Sequence, residues 1–225
     1  MNIHAILIVL SFFLSCGSQN ASKVEQDDKT YRVEKYTRSN QLGDYATAVF
    51  AGGCFWCTEA AFERINGVVD VISGYAGGHK EFPGYYEAGA GKTGHCEAIY
   101  IYYDSAKIDY ETLLRVFFVA HDPTTLNRQG PDVGEEYRSA IFYKSEDELA
   151  AISRIIKEVN LSDMYVNKVV TEIAPYDEFW VAEAYHQNYY ELHPDNGYVK
   201  RVSRPKVEKV KMKFPELIKE QYSKE

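Results

Sequence analysis

Across residues 45–159 the hydrophobic spacing switches between a period near two and a period near 3.6. That alternation restricts the chain to a sheet with helices packed against it. Tyr45-Ala-Thr-Ala-Val-Phe-Ala reads as a strand, closed by Gly52-Gly53. From Cys54 the spacing turns helical through Phe55, Ala60, Ala61, Phe62 and Ile65, with Gly67 as the stop. Further strands are expected at 68–75, 96–103 and 139–143. Asp109 is placed to cap a helix over 110–120, and Ser145 with Glu148 forms a capping-box pattern opening a helix that runs to Val159. An edge strand at 169–173 and a short aromatic helix at 183–192 complete the reading. The first six elements follow the split βαββαβ, ferredoxin-like order. The expectation is an α+β two-layer sandwich over residues 45–200, with helices on one face of a mainly antiparallel sheet.

The two ends read differently. Residues 6–14 are almost continuously apolar and are followed by Ser15-Cys16-Gly17. The run is too short to span a bilayer and fits the core of a secretory signal, although the preceding residues hold His4 and no Lys or Arg. Small residues around a lone cysteine resemble a bacterial lipobox, which implies a signal peptide over 1–15 and a lipidated Cys16. Residues 16–44 are polar and are expected to be a flexible tether. Residues 201–225 are rich in Lys and Glu, interrupted by Pro205 and Pro215, and are expected to be a loosely packed extension. An extracytoplasmic, lipoprotein-anchored location follows. The formal charge of −8 argues against nucleic acid as a partner.

The strongest chemical signal is Gly52-Gly53-Cys54-Phe55-Trp56-Cys57. A cysteine where a strand hands over to a helix meets unpaired N–H groups and the positive end of the dipole, which favour the thiolate. Phe55 and Trp56 would supply an apolar pocket. The Cys54–Cys57 spacing fits several chemistries. Half a zinc site lacks its other two ligands, so no metal is expected. A thioredoxin-like dithiol is poorly matched by Phe-Trp between the cysteines. A nucleophile with a resolving thiol and a structural disulfide also fit. Glu97, within an otherwise apolar strand, could be held protonated by burial and serve as a general acid; a solvated strand-edge carboxylate is the plainer alternative. Period-two alternation puts Cys96 on the opposite face from Glu97, where it reads as a buried spectator.

Several segments occur in order: Gly53-Cys54-Phe55-Trp56, Gly74-Tyr75-x-Gly77-Gly78, Thr93-Gly94-His95-x-Glu97, His121-Asp122-Pro123, Gln129-Gly130-x-Asp132-x-Gly134-x-x-Tyr137-Arg138-Ser139 and His186-Gln187-x-Tyr189. Together they resemble the A-type peptide-methionine (S)-sulfoxide reductases. The resemblance implies Cys54 as nucleophile, Glu97 as the acid that protonates the sulfoxide oxygen, and Tyr85 and Tyr137 as hydroxyl donors to that oxygen. It implies Asp132 as a carboxylate holding backbone and water near the nucleophile, and Phe55 and Trp56 as the pocket for the methyl on sulfur. Cys57 would resolve a sulfenic acid on Cys54 as a disulfide, reopened by an external thioredoxin-like dithiol, with no bound cofactor. The sequence shows no coiled-coil pattern, and a monomer is expected. Many members carry glycine at the Cys57 position and recycling cysteines near the C-terminus; no cysteine follows Cys96 here. The competing readings are an extracytoplasmic CxxC thiol-disulfide oxidoreductase and a non-enzymatic lipoprotein that binds peptides through its aromatic loops.

Overall fold

The computed structural model describes residues 29–223, so the expected signal peptide, Cys16 and the first part of the tether lie outside the described residues. In chain order the elements are β1 (Tyr31–Arg32), α1 (Val33–Ser39), β2 (Ala46–Gly52), α2 (Phe55–Glu63), β3 (Val68–Ala76), α3 (Tyr85–Ala88), β4 (Cys96–Tyr103) and α4 (Tyr110–Ala120). These are followed by β5 (Arg128–Gln129), β6 (Asp132–Val133), β7 (Ser139–Tyr143), α5 (Glu146–Leu161), β8 (Glu172–Pro175), β9 (Phe179–Val181), α6 (Tyr189–Leu192) and α7 (Arg204–Lys213).

The fold is α+β around a seven-stranded sheet of order β1-β9-β3-β4-β2-β7-β8. The sheet is mixed, because β7 pairs with β8 in parallel while the other neighbours run antiparallel. A four-stranded ferredoxin-like sheet is therefore too small a description: β8 extends one edge, and β9 with β1 extends the other. A single covered face is corrected as well. All eight residues of β4 are buried, which requires cover on both sides. Glu97, Ile99, Ile101 and Tyr103 face the side packed by Phe62, Phe117, Ile152 and Val210 from α2, α4, α5 and α7. Cys96, Ala98, Tyr100 and Tyr102 face a smaller apolar layer with Val33, Leu42 and Phe142.

That second layer is built by residues expected to be tether. From residue 29 onward they belong to the fold. Tyr31 pairs with Val181 and Arg32 with Trp180, and the Tyr36 hydroxyl donates to Asp70 Oδ2 at 2.9 Å. Few apolar side chains suffice here because they meet an existing sheet face instead of making a core of their own. The C-terminal extension is corrected in the same way. Val207 and Val210 are fully buried, and Lys219 N–H donates to Arg64 O at 2.8 Å.

Local signals set the remaining boundaries. Asp109 accepts from Thr112 N–H at 2.7 Å, and Ser145 accepts from Glu148 N–H at 3.2 Å. The Glu148 carboxylate reaches back to Lys144 N–H, one residue before the capping-box position. The edge strand forms at Glu172–Pro175, three residues later than its apolar pattern implies. The aromatic helix is broken in two by Asn188, at φ 55°.

Candidate active site

The end of β2 delivers the chain to the start of α2 through Gly53, whose φ is +84° and where a Cβ would stand 2.4 Å from the Gln129 side chain. Only glycine fits that turn. Cys54 is the N-cap of α2 and offers no side-chain cap. The first free amide of the helix, Phe55 N–H, instead donates to Glu97 Oε2 at 3.0 Å. A carboxyl from the middle of the sheet thus caps the helix that carries the cysteine.

Cys54, Phe55, Trp56, Tyr85, Glu97, Asp132 and Tyr137 line one cavity of about 190 Å³. That volume suits one side chain and is well below the roughly 300–1,000 Å³ of sites for larger ligands. Glu97 is only 3% exposed. Burial pushes its carboxyl up to about 8, partly opposed by the Phe55 amide, so it is protonated at neutral pH. Tyr85 is set by Glu183, which accepts from Tyr85 N–H and the Tyr75 hydroxyl at 3.0 Å each. Tyr137 ends a single 3₁₀ turn over Glu135–Tyr137. The Trp56 indole lies flat on Tyr189, with ring centroids 3.7 Å apart, and its Nε1–H donates to His186 Nδ1 at 3.2 Å. His186 is thus an acceptor there, and burial pulls its imidazole down to about 4. It braces the indole as a neutral ring.

Cys57 does not line the cavity. It lies one turn along α2, wholly buried, hydrogen-bonded to Cys54 and 3.2 Å from Ser203 Oγ. The pair corrects the simple helix-terminus expectation. Burial, then the hydrogen bond to Cys57, pushes the Cys54 thiol up, and the adjacent Phe55 amide is engaged by Glu97. The hydrogen bond from Cys54 brings Cys57 down to about 7. The two sulfurs therefore share protons, and a thiolate is available to the pair near neutrality.

Three cavity residues were given no role from sequence: Tyr189, Asn196 and Tyr198. Tyr198 is the most consequential. Its hydroxyl donates to Asp132 Oδ2 at 2.5 Å and lies within hydrogen-bonding reach of Cys54. Asp132 is thus held by a phenol from the C-terminal segment, in addition to any backbone or water it orders. Asn196-Gly197-Tyr198 carries no periodic signal, so only the fold reveals it. Cys96 lies on the other sheet face, its thiol 3.4 Å from Ala76 O. A larger hollow of about 650 Å³ lies among Thr30, Tyr31, Phe82 and Glu183 and has no cysteine in its lining. Among the described residues no cluster fit to hold a metal ion occurs.

The sequence profile of a family described as peptide methionine sulfoxide reductase matches residues 46–218. A peptide methionine sulfoxide reductase MsrA of Natronomonas pharaonis is 47% identical over 173 residues, covering 77% of this chain and 97% of that protein. The MsrA 1 protein of Rhodopirellula baltica is 48% identical over 187 residues, covering 83% and 94%. Among solved structures, reduced Mxr1 from Saccharomyces cerevisiae aligns with a TM-score of 0.62 at 36% identity, over 67% of this chain and 87% of that one. Methionine sulfoxide reductase A of Corynebacterium diphtheriae aligns with a TM-score of 0.61 at 30% identity, over 69% and 79%.

Proposed function

The chain belongs to the peptide methionine sulfoxide reductase family, whose members are oxidoreductases, and from that premise we propose that it repairs the S epimer of methionine sulfoxide, free or within proteins, through Cys54. The observation that supports this reading best is the convergence of Cys54, Tyr85, Glu97 and Tyr137 on one small cavity, with Glu97 held neutral.

The sulfoxide sulfur sits against Cys54 with its methyl on Phe55 and Trp56, and its oxygen faces Glu97 and the two phenols. The Cys54 proton passes along its hydrogen bond to Cys57, and the thiolate attacks the sulfoxide sulfur. Negative charge grows on the oxygen as the new bond forms, so donors placed there stabilise the transition state more than the ground state. Glu97 gives that oxygen its proton. Methionine leaves, reduced by two electrons, and Cys54 remains as a sulfenic acid carrying the oxygen. Cys57 then closes a disulfide with loss of water. An external dithiol of the thioredoxin type reopens it by exchange.

The test is turnover of separate S and R epimers of a capped methionine sulfoxide with dithiothreitol, followed by chromatography. The S epimer alone is consumed; equal consumption of both, or of neither, refutes the reading.

Cys16 and the apolar segment before it support a further part of the proposal: the enzyme is held outside the cytoplasm by a lipid anchor. Radiolabelled palmitate then enters the wild-type chain, and Cys16→Ala loses both the label and membrane sedimentation.

A further inference from the structure

Cys57 is turned away from the cavity, yet its surroundings are polar. A π-helical turn over Val199–Ser203 precedes α7. Tyr198, just before that turn, reaches Cys54, and Ser203, at its end, stands 3.2 Å from Cys57 Sγ. Lys206 follows in the first turn of α7. Its Nζ is buried without a hydrogen-bond partner, and its charge acts on Cys57. A buried ammonium with no acceptor is costly unless an anion lies near it. The groups bearing on Cys57 are Cys54 from its own turn, Glu97 from β4, Asp132 from β6, Tyr198, Ser203 and Lys206. Of these six, Lys206 alone carries positive charge.

We infer that Ser203 and Lys206 form a thiolate-holding site for Cys57, making the C-terminal segment a positioning element for disulfide closure. The inference rests on Cys57 being the resolving thiol. In the resting pair the Cys54 thiol is the first support of the Cys57 anion, with Lys206 and then Ser203 adding to it against burial. When Cys54 has become a sulfenic acid, that thiol donor no longer exists. Cys57, which has taken the Cys54 proton, must lose it again before it attacks, and Lys206 and Ser203 are then the groups left to favour its anion. The Ser203 hydroxyl accepts from the Cys57 thiol and can rotate to donate to the thiolate. In the step itself the Cys57 thiolate attacks the Cys54 sulfur, the S–S bond forms and the S–O bond breaks. The departing hydroxide takes the proton that Cys57 released and leaves as water. The sulfenic sulfur is reduced and the Cys57 sulfur oxidised.

The experiment is a single turnover of the full chain by rapid quench. Methionine is measured by chromatography, and the Cys54–Cys57 disulfide by alkylation and mass spectrometry, over a range of pH. In Lys206→Met, methionine formation slows about threefold, because Cys57 takes the Cys54 proton less readily, while closure slows about tenfold at pH 7 and its pH midpoint rises by roughly one unit. Lys206→Arg restores closure. Ser203→Ala, which leaves the packing nearly unchanged, slows closure about threefold. If closure and its pH midpoint are unchanged in Lys206→Met, or if methionine formation slows by as large a factor as closure, the inference fails while the functional reading stands. A wild-type chain that yields no methionine removes both.

Discussion

The Phe55 amide donates to Glu97 Oε2 at 3.0 Å, so one carboxyl both caps the helix that begins behind Cys54 and faces the cavity beside it. With Oε2 engaged as an acceptor, the acidic proton belongs on Oε1. The helix terminus does not by itself lower the Cys54 thiol, because burial dominates.

The pH profile follows from two groups. The Cys54–Cys57 pair begins to supply thiolate near 7, and Glu97 loses its proton near 8. We expect kcat/KM to rise to a narrow maximum between these values and to fall on the alkaline side. In Glu97→Gln the rate should drop by about 10²–10⁴ and the alkaline limb should vanish. Initial rates across pH 5.5–9.5 test this; an alkaline limb that survives in Glu97→Gln assigns it to another group.

Glu97 also costs stability. The unfolded carboxyl ionises near its ordinary 4.5, whereas the folded one stays protonated to about 8. Between these values the native state binds more protons, so its stability falls as pH rises through the window. Below 4.5 the effect is absent. Glu97→Gln should therefore match the wild type at pH 4 and exceed it at pH 8 by on the order of 2 kcal/mol or more. Urea denaturation of both proteins at the two pH values measures the difference; a variant less stable at pH 8 would contradict it.

Cys57→Ser separates the two halves of the cycle. Without reductant methionine is formed once per enzyme, at a lower rate because Cys54 has lost its proton acceptor, and turnover with dithiothreitol persists because a small thiol reaches the sulfenic acid directly. Turnover driven by a thioredoxin-type dithiol should fall by about 10²-fold or more, since no disulfide is presented for exchange. Trapping the sulfenic acid with dimedone and reading the mass provides the check.

Tyr198→Phe removes a hydroxyl that meets both Asp132 and Cys54. The Asp132 carboxylate then loses its donor, a loss of about 1–3 kcal/mol for a charge-assisted hydrogen bond. We expect kcat to fall about tenfold while KM changes little, because Phe preserves the wall of the cavity. Steady-state kinetics on the S epimer decide it; a wild-type kcat would make Tyr198 a lining residue only.

Much of the site was legible because its chemistry sits in short local motifs. Gly53, Cys54, Phe55 and Trp56 are contiguous, and β4 announces Glu97 by placing an acid in an apolar strand. Tyr198, Ser203 and Lys206 were not legible, because they act through a turn that brings residues from far along the chain under α2. Tyr31 and Val33 were misread for a related reason: a polar segment needs only a few apolar anchors when the sheet it lies on is already formed.

Local spacing and turn chemistry determined where β2, α2, β3, β4, α4, β7 and α5 form, that a cysteine would open α2, and that Cys96 and Glu97 would take opposite faces, since these depend on backbone period alone. Tertiary structure decided which groups meet and in what charge state. It buried Cys54 so deeply that desolvation outweighs the helix terminus, and it raised Glu97 into its neutral form. It also carried the C-terminal segment to the two sulfurs. Proton affinity depends on dielectric and on neighbours in space, and neither is encoded at any single position of the chain.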